Sequence, residues 1–136
     1  MEILRKIGDR GSRVTFLCYL SLLRTHRNDL DNGEHSLEEA RVAFQNQQDP
    51  RGRCFLSLAE AGVRLAGARL TEVAVVQGKL LKQAEQAIRV TESKGTDGSA
   101  AATERWSDAR LMHKLLRLDL QRSTEVSAVR AKPTDQ

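Results

Sequence analysis

One repeating pattern constrains the fold of this chain more than any other feature. Between residues 56 and 91, nine of the eleven positions spaced alternately by three and four residues are apolar. These positions are Leu56, Ala59, Val63, Ala66, Leu70, Val73, Gln77, Leu80, Ala84, Ala87 and Thr91. Such a stripe is typical of a helix that packs against other helices as in a coiled coil. We call it the central seam, and it predicts a helix over residues 51–93.

A second seven-residue repeat precedes the central seam. Its members are Phe16, Leu23, Leu30, Leu37 and Phe44. This repeat predicts a helix over residues 13–46 with a narrower apolar face. Asn32-Gly33 lies in its middle and is a common turn sequence, but the repeat runs through it and favours a continuous or mildly kinked helix. If the helix breaks there, Ser36 is the candidate cap of the restart, with Glu39 completing a capping box.

The first firm interruption lies between these two segments. Asp49 and Pro50 fit a helix N-cap followed by proline at the first helical position. A straight helix through Pro50 is costly, because its ring clashes with the preceding turn and it has no N–H to donate. Both a turn and a kink satisfy this constraint. The similar lengths of the two flanking segments favour a turn and an antiparallel hairpin.

A third, shorter helix is predicted over residues 104–130. Residues 94–99 form the clearest loop, with Gly95 placed to end the preceding helix, and Thr103 is the candidate N-cap of the last one. Leu111, Leu115 and Leu118 form a ridge on this helix, which Leu116 and Leu120 widen. We therefore predict an all-α fold: an antiparallel coiled-coil-like helical hairpin with a third C-terminal helix. It forms a single domain of residues 1–130, followed by a disordered tail at 131–136.

Composition limits the class of protein further. The 136 residues are 40% hydrophobic but only 4% aromatic, which suits helix–helix seams built from Ala and Leu. Cys18 and Cys54 share no close motif and are interpreted as reduced, small apolar side chains in a cytoplasmic protein; one disulfide in a secreted chain is the alternative. No apolar run approaches the roughly 20 residues of a membrane helix. The run at residues 16–23 resembles a signal peptide but is followed by basic residues without a cleavage site.

Patterns for catalysis and for cofactor or metal binding are missing from the sequence. His26, His35 and His113 have no partner at the spacing of a zinc pair, and there is no Cys-x-x-Cys. Gly62 and Gly67 have the spacing of a phosphate-binding loop, but the Lys-Ser/Thr that should follow is absent. We therefore predict a protein that is not an enzyme and has no cofactor and no metal.

Basic residues near both ends are the candidate binding residues. The formal net charge is +4, and the excess of positive charge lies near the termini. We predict that these residues and one tryptophan contact an acidic surface of a protein partner. They are Arg5, Lys6, Arg10, Arg13, Trp106, Arg110, Lys114, Arg117 and Arg122. Nucleic-acid binding is disfavoured, because basic and acidic residues alternate along the helices and no aromatic stacking platform is present.

The two heptad stretches, the Arg-rich ends and Trp106 before a basic helix resemble the coiled-coil stalk proteins of bacterial type III secretion and flagellar export. The resemblance implies a stalk that enters the ring of the export ATPase and also touches the export gate, at the periphery of a membrane apparatus. Pro50 and the loop at residues 94–99 depart from the family plan of two uninterrupted helices.

We thus predict a non-enzymatic helical adaptor or stalk in the cytoplasm, as a component of a protein-export apparatus that contacts its ATPase. The alternative is a cytoplasmic secretion chaperone or another partner-binding helical protein, which would use apolar grooves and the side chains of Trp106 and Met112. A basic nucleic-acid-binding protein ranks third. A homo-oligomer stays open, since the central seam can pair with another copy as easily as with residues 13–46.

Overall fold

The chain is helical and contains no β-strand in the residues that the computed structural model describes, which are 10–45, 49–92 and 101–131. The predicted all-α class is confirmed. The elements are α1 (Arg10–His26), α2 (Leu30–Phe44), α3 (Pro50–Leu70), α4 (Ala74–Glu92), a single turn α5 (Ala102–Arg105) and α6 (Ser107–Ala131). Within the described ranges, five long helices and this turn replace the predicted arrangement of three helices.

The five long helices alternate in direction around α3. Ser21 on α1 donates to the carbonyl of Gly33 on α2, and Gln77 on α4 donates to the carbonyl of Ala68 on α3, so each pair is an antiparallel hairpin. Helix α3 contacts α1, α2, α4 and α6. Its contacts with α6 advance together along both chains, which makes α3 and α6 parallel.

The predicted continuous helix over residues 13–46 is wrong, because the chain turns at residues 27–29. Asn28 adopts a left-handed conformation with φ of 62°. The N–H of Asn28 donates to the carbonyl of Thr25, and that of Asp29 donates to the carbonyl of Arg24. This pair of bonds is a Schellman motif, which ends a helix and tolerates asparagine at the left-handed position. Asn32 and Gly33, the expected weak point, lie inside α2.

The central seam is also divided, at residues 71–73. Thr71 and Val73 are β-branched and have low helix propensity, and the Thr71 hydroxyl accepts from the N–H of Val73 at 3.3 Å. Gln77, a polar member of the central seam, is buried and donates at 2.9 Å to the carbonyl of Ala68. It therefore satisfies a carbonyl at the end of α3 that the broken helix leaves unpaired.

The predicted N-cap and first residue of the helix that begins at Pro50 are confirmed. Asp49 caps α3 by accepting from the N–H of Arg51 at 3.1 Å, and Pro50 is the first residue of the helix. Helices α2 and α3 are antiparallel, since Arg41 pairs with Glu60 at 3.4 Å. The interruption is therefore a turn rather than a kink.

Helix α3 lies at the centre of the bundle because it carries small and apolar residues on most of its own sides, so other helices can pack around it. Phe55, Leu58 and Leu65 are fully buried. A Cβ atom on Gly62 would lie 2.8 Å from Leu22 Cδ2, so glycine lets α1 approach closely. This half of the central seam is buried at Ala59, Val63 and Ala66, but its last member on α3, Leu70, is exposed.

The first seven-residue repeat does not define one buried face. Phe16 and Leu23 are exposed, whereas Leu37 on α2 is buried. Val14, Leu17 and Cys18 line the core instead. The reason is the turn at Asn28, which starts a new helix with its own orientation, so the repeat no longer follows one side of one rod.

The predicted N-cap of the last helix is wrong, and the predicted loop and tail cannot be compared with described residues. The last helix begins at Ser107, and Thr103 lies within α5 rather than capping the helix. The loop at residues 94–99 and the tail beyond residue 131 lie outside the described residues.

Candidate protein-binding groove

An open cavity of about 860 Å³ lies between α1 and α6, above α3. Both helices pack on α3, but within the described residues no Cα atom of α1 comes within 8 Å of one of α6. We call this cavity the α1–α6 groove. Its apolar walls are formed mainly by Leu22, Leu23, Met112, Leu115, Leu116 and Val126.

One end of the groove is held by a cluster around Asp108. Arg51 and Tyr19 both bond this carboxylate, with Arg51 Nη1 at 3.0 Å from Oδ1. The Arg51 guanidinium also lies 5.0 Å above the Phe55 ring, and the Tyr19 ring meets that ring edge-on at 5.2 Å. The cluster joins the start of α6 to α1 and α3.

The charges in this cluster stabilise one another. Burial raises the pKa of Asp108, but the hydrogen bonds from Arg51 and Tyr19 outweigh burial and hold the pKa below its usual value. Burial, together with the bond to Asp108, raises the pKa of Tyr19 to about 12. At neutral pH the tyrosine is a neutral donor and the aspartate an acceptor, so the group is a structural clamp.

Arg69 holds the other end of the groove. Its Nη1 lies 2.6 Å from Asp119 Oδ2 on α6. Its Nη2 donates to the Thr25 carbonyl at 2.9 Å, and its Nε donates to Asn28 Oδ1 at 3.2 Å. One side chain of α3 thus fixes α6 and satisfies the C-terminal end of α1.

The floor of the groove is set by Gly62. A Cβ there would lie 2.8 Å from Leu22 Cδ2, 3.3 Å from Thr25 Oγ1 and 3.9 Å from Leu116 Cδ2. Both lips therefore reach the same glycine while their backbones stay apart. A larger residue would lift the floor and fill the groove.

The lips expose apolar side chains to water. Leu23 on α1 is 51% exposed, and Leu115 and Leu118 on α6 are 54% and 64% exposed. A concave, mostly apolar surface with a few polar groups at its ends is typical of binding sites.

The groove carries a positive charge at the α6 lip. Asp119, the one carboxylate among its lining residues in the described chain, is paired with Arg69. Arg122 also lines the groove and has no carboxylate within ion-pair distance in the described chain.

The predicted N-terminal basic residues do not form a described cluster. Arg5 and Lys6 lie outside the described residues, as does the side chain of Arg10, the first residue of α1. Arg13 is partly buried beside α2, in a second cavity with His35, Glu38 and Glu39. It does not line the α1–α6 groove.

The predicted binding residues of the last helix lie on different sides of it. Arg117 bonds Glu92 on α4 at 2.5 Å, next to His113, and so joins two helices. Trp106 is half-buried against the core, with Arg105 4.6 Å from its ring centroid.

Of the remaining predicted basic residues on α6, Arg110 and Lys114 are exposed, and only Arg122 lines the α1–α6 groove.

Sequence reasoning predicted the ridge of Leu111, Leu115 and Leu118 but did not predict which side of the bundle the ridge lies on. These three are exposed, whereas Leu116 and Leu120 are buried. The signal that separates the two sets is helical phase, because Leu116 and Leu120 share a face with Ala109 and the ridge does not.

Two features of the described chain bear on metal binding and on thiol reactivity. No three side chains of His, Cys, Asp or Glu are grouped closely enough there to hold a metal ion. Burial, and the nearness of Cys54, raise the pKa of the Cys18 thiol to about 12. Burial likewise raises the pKa of Cys54 to about 11, so at neutral pH neither is a reactive thiolate.

Fold and groove together define an all-α bundle with an open, largely apolar cleft. No helix in the described ranges has the length and hydropathy of a membrane span. Comparison with family models, curated proteins and solved structures finds no match to this chain.

Proposed function

We propose that this protein is a non-enzymatic helical adaptor that binds a protein segment in the α1–α6 groove. The carrying observation is a cleft whose lips expose Leu23, Leu115 and Leu118, while Asp119, the one carboxylate that lines it in the described chain, is already paired with Arg69. Burying a fully exposed leucine side chain contributes about 1.5–3 kcal/mol, and these three are 51–64% exposed, so each supplies a part of that.

The shape of the cleft favours a helical occupant. Its walls are helices that both pack on α3, and from Met112 to Val126 the α6 lip extends about 21 Å at 1.5 Å per residue. That length accepts about four turns of a partner helix. Recognition would follow the helix-in-groove mode, with apolar anchors every three or four residues.

Within this proposal, the partner-binding or secretion-chaperone form is better supported than the stalk. A partner-binding protein or chaperone needs an apolar groove for its partner. A stalk requires a long rod, and the longest described helix, α6, has 25 residues, or about 38 Å. Membership of an export apparatus, contact with its ATPase or gate, and a cytoplasmic location rest on the sequence resemblance and composition alone.

The test is a comparison of co-purified proteins from the native cell. We expect the double variant Leu115→Glu with Leu118→Glu to lose a protein that the wild-type chain retains. Val90→Glu on α4 is the matched control, because Val90 is also half-exposed but lies outside the groove. Circular dichroism and thermal melting verify that all variants fold. Equal recovery of every partner by the groove variant would contradict the proposal.

A further inference from the structure

The groove-facing side of α6 carries a coiled-coil repeat of its own. Its members, Met112, Leu115, Asp119, Arg122, Val126 and Val129, follow one another at intervals of three, four, three, four and three residues. This is the alternation of a and d positions in a heptad. Met112 packs partly on the core and Asp119 bonds Arg69 of α3, but Leu115, Val126 and Val129 are exposed, so half of the repeat is uncovered in the described chain.

The repeat is self-complementary when two copies run antiparallel. In that arrangement an a position of one helix faces a d position of the other. Leu115 then faces Val126 of the second copy, and Met112 faces its Val129. At the centre Asp119 faces Arg122 of the second copy, and the two-fold axis repeats each pair. Two opposite-charge pairs are thus flanked on both sides by apolar pairs.

Neighbouring registers do not satisfy both requirements. A shift by one heptad in one direction opposes Met112 to Arg122 and Leu115 to Asp119. A shift by one heptad in the other direction opposes Asp119 to Val129 and Arg122 to Val126, so both shifts set charged side chains against apolar ones. A polar pair within an apolar seam is a known means of fixing register.

The existing contacts leave room for this pairing. Arg69 bonds Oδ2 of Asp119, while Oδ1 receives only a long 3.4 Å contact from Ser123. Asp119 can therefore accept a second arginine. Leu23, exposed on the α1 lip, supplies the other wall.

We infer that the α1–α6 groove binds α6 of a second copy of this chain, in an antiparallel two-fold dimer. The inference rests on the proposed function in that it names one partner for the same groove. Another protein in the groove, with a monomeric chain, is the competing outcome.

The first experiment is sedimentation velocity of the full chain over a range of concentrations. We expect a species of twice the 15.2 kDa chain mass. Arg122→Asp should weaken dimerisation by about tenfold or more, because it opposes two carboxylates at each central pair. Lys114→Asp makes the same charge change on an exposed position outside the groove and should leave dimerisation unchanged.

The second experiment tests the register by disulfide trapping with oxidised glutathione. Leu115→Cys with Val126→Cys should give a covalent dimer, whereas Leu115→Cys with Val129→Cys should not. Within one chain, residues 115 and 126 are eleven positions apart on a helix, about 16 Å, which is beyond the reach of a disulfide.

Two results would overturn the inference: a wild-type chain that stays monomeric at about 100 μM, or a dimer that is indifferent to Arg122→Asp and traps neither cysteine pair. A monomer whose Leu115→Glu with Leu118→Glu variant still loses a different protein rejects the dimer and keeps the proposed function. If that variant changes neither self-association nor partner recovery, the proposed function itself fails.

Discussion

Helices α3 and α6 differ in how they are held. Helix α3 is enclosed by four other helices, and Phe55, Leu58 and Leu65 on it have no exposed surface. Helix α6 buries one face and is attached at its sides by ion pairs. These join Asp108 to Arg51, Asp119 to Arg69, and Arg117 to Glu92.

This contrast predicts that the two helices differ in how strongly they are held. Partly exposed ion pairs contribute only about 0.2–1 kcal/mol each, far less than a buried aromatic side chain. We therefore expect α6 to be held more weakly than α3 and to be the helix that opens first.

The strongest test of this contrast compares large-to-small changes in the two helices. Phe55→Ala should lower the free energy of unfolding by roughly 3–5 kcal/mol, because it leaves a cavity in a filled core. Leu118→Ala should change it by less than about 0.5 kcal/mol, since Leu118 is already mostly in water. Urea denaturation monitored by circular dichroism measures both. Similar losses for the two variants would remove the distinction between the helices.

A sharper test removes one attachment of α6 without touching the core. Asp108→Ala should cost about 1–3 kcal/mol, because Arg51 and Tyr19 lose their shared acceptor. Hydrogen exchange should speed up at the start of α6 before it does in α3.

Glu34→Ala is the control for this change, since Glu34 is an exposed carboxylate on α2. It should leave exchange in α6 unaltered. Uniform faster exchange throughout the bundle after Asp108→Ala would mean that α6 is not a separately opening element.

The difference between filled and open packing extends to two helical glycines. A Cβ on Gly33 would lie 2.4 Å from Thr25 Cγ2, whereas a Cβ on Gly78 would meet nothing within 4 Å. Gly33→Ala should destabilise by about 1 kcal/mol, after the gain in helix propensity is subtracted from the cost of overpacking. Gly78→Ala should stabilise by roughly 0.5–1 kcal/mol. Melting temperatures of the two variants should therefore move in opposite directions, and a shift of the same sign would refute the packing argument.

Local sequence signals predicted the elements well where one residue decides the geometry. Asp49 and Pro50 start α3 as expected, and Ala59, Val63 and Ala66 of the central seam are buried. The breaks were missed because a hydrophobic repeat can continue across a turn when both flanking helices have apolar faces. At Asn28 the decisive fact is a left-handed backbone, which asparagine permits but does not demand.

The α1–α6 groove could not be predicted from the sequence, because it depends on contacts between residues far apart in the chain. Tyr19 and Asp108 are 89 positions apart, and Arg69 meets partners from both α1 and α6. No local pattern encodes which helices meet across such distances. What the sequence did supply is the leucine ridge on α6, whose exposure became interpretable only when α1 was found opposite it.

The smallest expected effect concerns the pair that ties α6 to α4. The hydrogen bond from Arg117 lowers the pKa of Glu92, with His113 adding to this and burial opposing it. A carboxylate with a lowered pKa in the folded state adds stability above its ordinary pKa of 4.5, and that stability is lost as the pH falls through the lowered folded value. Because Glu92 is about a third exposed, we expect less than about 1 kcal/mol.

The measurement is the free energy of unfolding of the wild type and of Glu92→Gln between pH 7 and pH 3. The wild type should be slightly more stable at pH 7, and the difference should shrink as Glu92 is protonated below pH 4.5. Glu34→Gln removes an exposed carboxylate on α2 and is the control for the loss of one charge. A wild-type advantage that persists unchanged in acid would mean that Glu92 supports α6 by packing rather than by charge, and that the attachment of α6 resembles that of α3 more than we propose.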